Sequence, residues 1–293
     1  VHASTGVAAG IVSKPYYTAD GMDMRITNCI NDGAITSDSY HAAGIAGLSA
    51  ADISGCTNSG VITAGNTAGG IVAEQTNYGT ISNNENTATI SGGSNAGGIV
   101  GWVRYQNSAS YTKSAVITIE NNTNAGSITA AGSGTLGFGG IVGTIYNAGI
   151  VTGNTNTASA VTGGTFAAGI AANLQEQADN LFYDAQNIEV KNNVSTTALG
   201  SITGNFVNLY AYNNKPSGDV FEAVHNSTEW VAQIGDTKYA CLEGAIAAAG
   251  ELSGDVTINL LGDINIAYML EDNGTVSSSY SKYFDLSGSE LTS

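Results

Sequence analysis

Apolar residues in this chain fall in short groups at wide intervals, not in a helical stripe. One group follows a pair of small residues: Ala9-Gly10-Ile11-Val12, Ala43-Gly44-Ile45-Ala46-Gly47, Gly69-Gly70-Ile71-Val72, Gly97-Gly98-Ile99-Val100-Gly101, Gly139-Gly140-Ile141-Val142-Gly143 and Ala168-Gly169-Ile170-Ala171. Its isoleucines are 34, 26, 28, 42 and 29 residues apart. A second phrase alternates with it: Asn, any residue, Gly or Ala, any residue, an aliphatic, then Thr or Ser. Copies begin at Asn31, Asn58, Asn77, Asn86, Asn124 and Asn147. Asn and Gly accept the positive φ of a tight corner, and the aliphatic then points inward with Thr or Ser outward at period two. Self-similarity at a few tens of residues marks a solenoid, and no 3.6-residue stripe supports a helical one. The pattern predicts an all-β chain: a parallel β-solenoid, taken as a right-handed β-helix, of six to eight coils about 4.8 Å apart, with a small α+β C-terminal element.

The pattern changes after residue 171. Asn173–Ala178 reads as a short helix or long corner, Leu199–Gly204 as a degenerate anchor, Phe206–Tyr212 as a strand and Lys215–Asp219 as a turn or boundary. Trp230–Asp236 reads as a strand running into a turn, with Asp236 or Thr237 capping a helix. Leu242, Ala245, Ile246 and Ala249 give that helix one apolar face, Gly250 ends it, and Val256–Leu261 is a strand. We therefore divide the chain into a β-helix over 1–228 and a strand-helix-strand cap, or the start of a second β-helix-like module, over 229–293. The chain starts inside a repeat, without signal peptide or initiator Met. That predicts a mature or excised piece that continues upstream or packs on another molecule.

Composition narrows the function. Charged residues are 11% of the chain, against roughly 25% in an average domain. The net charge is −16, with −4 on residues 1–171 and −12 on 172–293, a field that repels phosphate backbones. No nucleic-acid partner is expected, and no apolar run reaches the ~20 residues that span a bilayer. Neither an EF-hand loop nor a calcium nonapeptide repeat occurs, so no metal or other cofactor is expected.

The cysteines are Cys29, Cys56 and Cys241, with no CxxC pair. Ile26-x-x-Cys29-x-Asn31 and Ile53-x-x-Cys56-x-Asn58 are one phrase displaced by 27 residues. A coil of that length stacks the two sulfurs on adjacent rungs, either as buried inert thiols or as a disulfide. The 42-residue interval carries Trp102-Val103-Arg104-Tyr105 and then Tyr111. Insertions in a solenoid become loops on one side, often the binding side. Trp102, Arg104, Tyr105 and Tyr111 are therefore the candidate ligand-binding residues, fit to stack on a sugar ring or anchor a protein; the alternative is a loop covering the rod with its own aromatics.

The Gly-Ile-Val-Gly anchors and Cys-x-Asn-x-Gly phrases resemble the GLUG motif of bacterial surface proteins and of non-catalytic parts of immunoglobulin A peptidases, over roughly residues 7–171. Residues 234–246 followed by 256–264 are similar to the start of pectin-lyase-like β-helices of Gram-positive surface proteins. The resemblance implies a section of a large, extracellular, cell-surface protein and carries over no catalytic residue: His2, His41 and His225 stand in no His-Glu-x-x-His helix.

The leading expectation is a non-catalytic structural or adhesive module contacting a glycan or protein of the host or cell wall. The alternative is a carbohydrate-active β-helix enzyme, a polysaccharide lyase or glycosidase, with Glu74, Glu120, Glu176, Asp179 and Asp184 as candidate carboxylates. Ice binding or self-assembly through a flat face asks for Thr-x-Thr ladders, which the chain lacks.

Overall fold

The structure is a computed structural model that describes residues 1–15, 24–104, 117–132, 136–146, 148–175, 188–196, 201–202, 209–212, 215–216, 222–223, 232–239 and 242–261. It is all-β apart from one helix, and its strands stack in parallel, as in a β-solenoid. One coil shows the plan. Asp52–Ser54, Thr57–Asn58, Ile62–Ala64, Thr67–Gly69 and Val72–Thr76 each enter a different sheet, here numbered first to fifth in that order. The next coil returns to the same sheets in the same order with Thr80–Ser82, Glu85–Asn86, Ile90–Gly92, Asn95–Gly97 and Val100–Arg104. The first and second sheets reach seven strands each, about 30 Å at the usual strand spacing.

The isoleucine anchors stack. Ile45 N–H donates to Ile71 O at 3.1 Å, and Ile71, Ile99 and Ile141 each donate to the next anchor's carbonyl at 3.0 Å, ending at Ile170. These five are fully buried, whereas Ile11, at the N-terminal edge, is 44% exposed. Each burial contributes about 2 kcal/mol. The second phrase proves to be two positions. Asn31, Asn58, Asn86 and Asn124 lie in the second sheet, and the aliphatics Ile35, Ile62, Ile90 and Ile128 stack in the third. The copies at Asn77 and Asn147 instead precede Ile81 and Val151, which pair in the first sheet with Ile119. Two corners share one sequence because both need a turn residue followed by an inward aliphatic.

The interior is divided. One apolar cluster joins the isoleucine anchors to the first and fifth sheets, around Ile53, Val72, Ile81, Val100 and Ile119. The other lies between the third and fourth sheets, around Ile62, Ala68, Ile90 and Phe138. Between them runs an asparagine column: Asn31 Nδ2 donates to Asn58 Oδ1 (2.7 Å), Asn58 to Asn86 (2.7 Å), Asn86 to Asn124 (2.8 Å) and Asn124 to Asn156 (2.9 Å). The second glycine of the anchor phrase seats this column. A Cβ on Gly98 would overlap the Gly140 carbonyl oxygen and the Asn124 side chain.

A second column occupies the corner between the first and second sheets. That corner is two residues long in every coil where it is described. Its first residue is Asn28, Gly55, Asn83, Asn121, Gly153 or Asn192, with φ between 54° and 65°. Its second is Cys29, Cys56, Asn84, Asn122, Asn154 or Asn193. Asn84 Nδ2 donates to Asn122 Oδ1 (2.9 Å), Asn122 to Asn154 (2.9 Å) and Asn154 to Asn193 (3.0 Å). Cys29 and Cys56 thus take the same place on adjacent rungs, and both are free thiols.

The corner between the fifth and first sheets is the opposite. It is short at 50–51, 77–79 and 147–148, and long at 13–24, 105–117 and 176–187.

Several expectations past residue 171 are corrected. Ala171–Gln175 is a strand of the fifth sheet, not a helix or corner. Leu209–Tyr212 pairs with Ile188–Lys191, as expected for a strand, and Lys215–Pro216 pairs with Val194–Ser195 in the second sheet rather than opening a turn; residues 217–219 lie outside the described residues. Rungs with degenerate anchors continue because parallel pairing is satisfied by backbone. Ser201–Ile202 pairs with Glu222–Ala223. Thr237–Tyr239 does not cap a helix: it folds back antiparallel on Ala232–Ile234 through Gly235 (φ 56°), and Asn259–Leu260 pairs on the other side. The helix is Leu242–Glu251, one residue past Gly250, with Ala245 and Ala248 buried. No helix among the described residues is long and apolar enough to cross a membrane.

Candidate binding site

Trp102 and Arg104 alternate along the strand Val100–Arg104 of the fifth sheet, with Val103 between them buried in the core. Period two therefore sends both away from that core. The Arg104 guanidinium sits 5.1 Å from the Trp102 ring centroid, a cation–π contact. Tyr105 and Tyr111 lie outside the described residues.

Register adds residues that the sequence reading did not group. Glu74 is the direct partner of Trp102 on the preceding rung. Its carboxylate is 3% exposed, with Oε1 3.5 Å from Arg104 Nη1 and Oε2 3.0 Å from Nε2 of the fully buried His41. The His41–Glu74 contact is close but poorly aligned for a hydrogen bond, and His41 Nδ1 is buried without a partner. The Tyr40 ring lies on the His41 ring at 3.9 Å between centroids and 32° between planes. A buried carboxylate demands such neighbours, since an isolated one costs several kcal/mol. The result is a chain Tyr40–His41–Glu74–Arg104–Trp102 whose middle, His41 and Glu74, is buried. Tyr40 is exposed, Arg104 is half-buried, and Trp102 is half-buried with its indole Nε1 buried and unpartnered.

This chain continues a polar seam between the fourth and fifth sheets. Asn173 Nδ2 donates to Thr144 Oγ1 (3.3 Å), Thr144 to Asn95 Oδ1 (2.7 Å) and Asn95 Nδ2 to Thr67 Oγ1 (3.4 Å). The seam was legible three residues past each anchor isoleucine, where Leu48, Glu74, Trp102, Thr144 and Asn173 occupy one position of five aligned copies.

Chemically, the arrangement suits recognition: an aromatic face backed by a guanidinium, anchored by a buried acid. Glu74 is flanked by the Arg104 guanidinium and the His41 imidazole. Glu120 stands on the first sheet, half-buried at the end of Thr118–Glu120. Glu176, Asp179 and Asp184 lie outside the described residues. Among the described residues no group of three or more His, Cys, Asp or Glu is placed to hold a metal ion. Comparison with protein-family models, with curated proteins and with solved structures returns no match to this chain.

Proposed function

We propose that this chain is a non-catalytic structural and adhesive module of a bacterial surface protein. In this reading it is a right-handed β-solenoid that carries ligand-contacting connections along one edge. The observation that supports it is positional. The three long connections, 13–24, 105–117 and 176–187, all fall at the corner between the fifth and first sheets, and Trp102 and Arg104 lie on the strand that leads into the middle one. Insertions in a solenoid map to loops on one face, and repeated insertion at one corner builds a single surface. The GLUG-like anchors support the extracellular assignment, and the acidic surface favours a glycan or protein ligand of the host or cell wall over a nucleic acid.

The enzyme reading asks for two carboxylates across one groove. Glu74 is held between His41 and Arg104, so recognition is the better supported role.

A glycan array and a pull-down from cell-wall and host extracts test the proposal with the intact chain and the Trp102→Ala/Arg104→Ala variant. Binding that falls at least tenfold in the variant at unchanged melting temperature supports it. A ligand bound equally by both, or no ligand at all, leaves only a spacer role. Cleavage of a polysaccharide panel that disappears in Glu74→Gln would replace it with the enzyme.

A further inference from the structure

We propose that Cys29 and Cys56 are a site of disulfide formation that links the first two rungs of the corner column. From Asn84 to Asn193 each rung of this column is tied to the next by a side-chain amide, with nitrogen–oxygen distances of 2.9–3.0 Å. At Cys29 and Cys56 the amide is replaced by sulfur. What remains between them is a weak contact, Cys29 N–H to Cys56 Sγ at 3.4 Å.

The backbone permits the bond. Ile30 pairs with Thr57 in parallel register, which makes Cys29 and Cys56 direct neighbours on adjacent rungs. Such neighbours stand about 4.8 Å apart, inside the range of disulfide Cα separations. Both cysteines follow a left-handed residue, Asn28 (φ 54°) and Gly55 (φ 64°). They are corner residues, so their χ angles are not held to the in-register pleat that disfavours disulfides between paired strands. Access is one-sided: Cys29 is half-buried and Cys56 is buried.

The chemistry balances with a small-molecule disulfide as oxidant. The Cys29 thiolate attacks oxidised glutathione and releases one glutathione thiolate. Cys56, deprotonated, then attacks Cys29 Sγ and releases the second. Two protein thiols are oxidised, one glutathione disulfide is reduced to two thiols, and one sulfur–sulfur bond closes a loop across a 27-residue separation. Burial pushes the Cys56 thiol up, so the second attack is the slow one.

The test uses the full chain carrying Cys241→Ser, which leaves these two thiols alone. After equilibration in a glutathione buffer poised near −200 mV, typical of oxidising compartments, we expect an intact mass lower by two hydrogens. We also expect a cross-linked peptide pair containing Cys29 and Cys56, and a melting temperature higher by about 5 °C that dithiothreitol reverses. Cys29→Ser and Cys56→Ser abolish the mass change. Alkylation of the unfolded, oxidised wild type counts remaining thiols without relying on those variants to fold. A stable glutathione adduct on Cys29 with Cys56 free, two free thiols at equilibrium, or a cross-linked dimer would each overturn the proposal.

Discussion

Two corners of the same coil differ in what they are allowed to be. Between the first and second sheets the corner is two residues long wherever it is described, with a left-handed first residue and an inward Asn or Cys as the second. Between the fifth and first sheets it runs from 50–51 to 105–117. The difference lies in what each corner holds. The first carries a column in which every amide serves its neighbours: Asn122 Oδ1 accepts from both Asn84 N and Asn84 Nδ2, while Asn122 Nδ2 donates to Ile81 O and Asn154 Oδ1. An extra residue there moves the amide off the column. The second corner buries residues beside its strands, such as Ala51, Ile117 and Ala148, but bears no amide column among its described residues, so lengthening away from those residues costs loop-closure entropy, about 0.6 kcal/mol per doubling.

The sharpest way to break this contrast is to insert one glycine between Asn121 and Asn122. We expect loss of cooperative folding from that rung onward, seen as a collapsed thermal transition and rapid amide exchange, because a one-residue slip inverts every following side chain. Asn122→Ala keeps the register but strands the Asn84 donors and the Ile81 carbonyl, and should cost about 4 kcal/mol in urea unfolding. At the Tyr40-to-Trp102 chain, Glu74→Ala removes the carboxylate that His41 and Arg104 share and should cost about 3 kcal/mol, with Glu74→Gln milder.

The cysteine rungs predict a smaller, pH-dependent effect. Burial raises the Cys56 thiol above its ordinary value, so the folded chain holds that proton more tightly than the unfolded one. The stability this contributes is full below the unfolded thiol value, about 8.5, and is lost as pH rises through the folded one. Wild type should therefore lose stability above about pH 9 more steeply than Cys56→Ala, as read from denaturant midpoints. The smallest effect belongs to the variable corner: six Gly/Ser residues added within 105–117 should change stability by less than about 0.6 kcal/mol. A larger loss would show that this corner, too, is structurally constrained.

Much of this contrast was legible in residue order. The isoleucine column, the 27-residue step between Cys29 and Cys56 and the interval holding Trp102 and Arg104 all follow from aligning repeated phrases. Alignment failed where two corners share a phrase, as at Asn77 and Asn147, because local turn chemistry does not distinguish which sheet receives the next strand. It also failed past residue 171, where backbone pairing carries rungs whose anchors have degenerated. Of the candidate site, Trp102 and Arg104 were named, whereas Tyr40, His41 and Glu74 were not brought to them.

Sequence alone settled the strand-forming character of the chain, its repeat length and its inward aliphatics, since these are properties of period and composition. Only the tertiary structure decided which polar residues become interior columns and that Glu74 meets both His41 and Arg104. Those contacts join residues 27 to 41 positions apart, and they depend on how one coil is laid over the next.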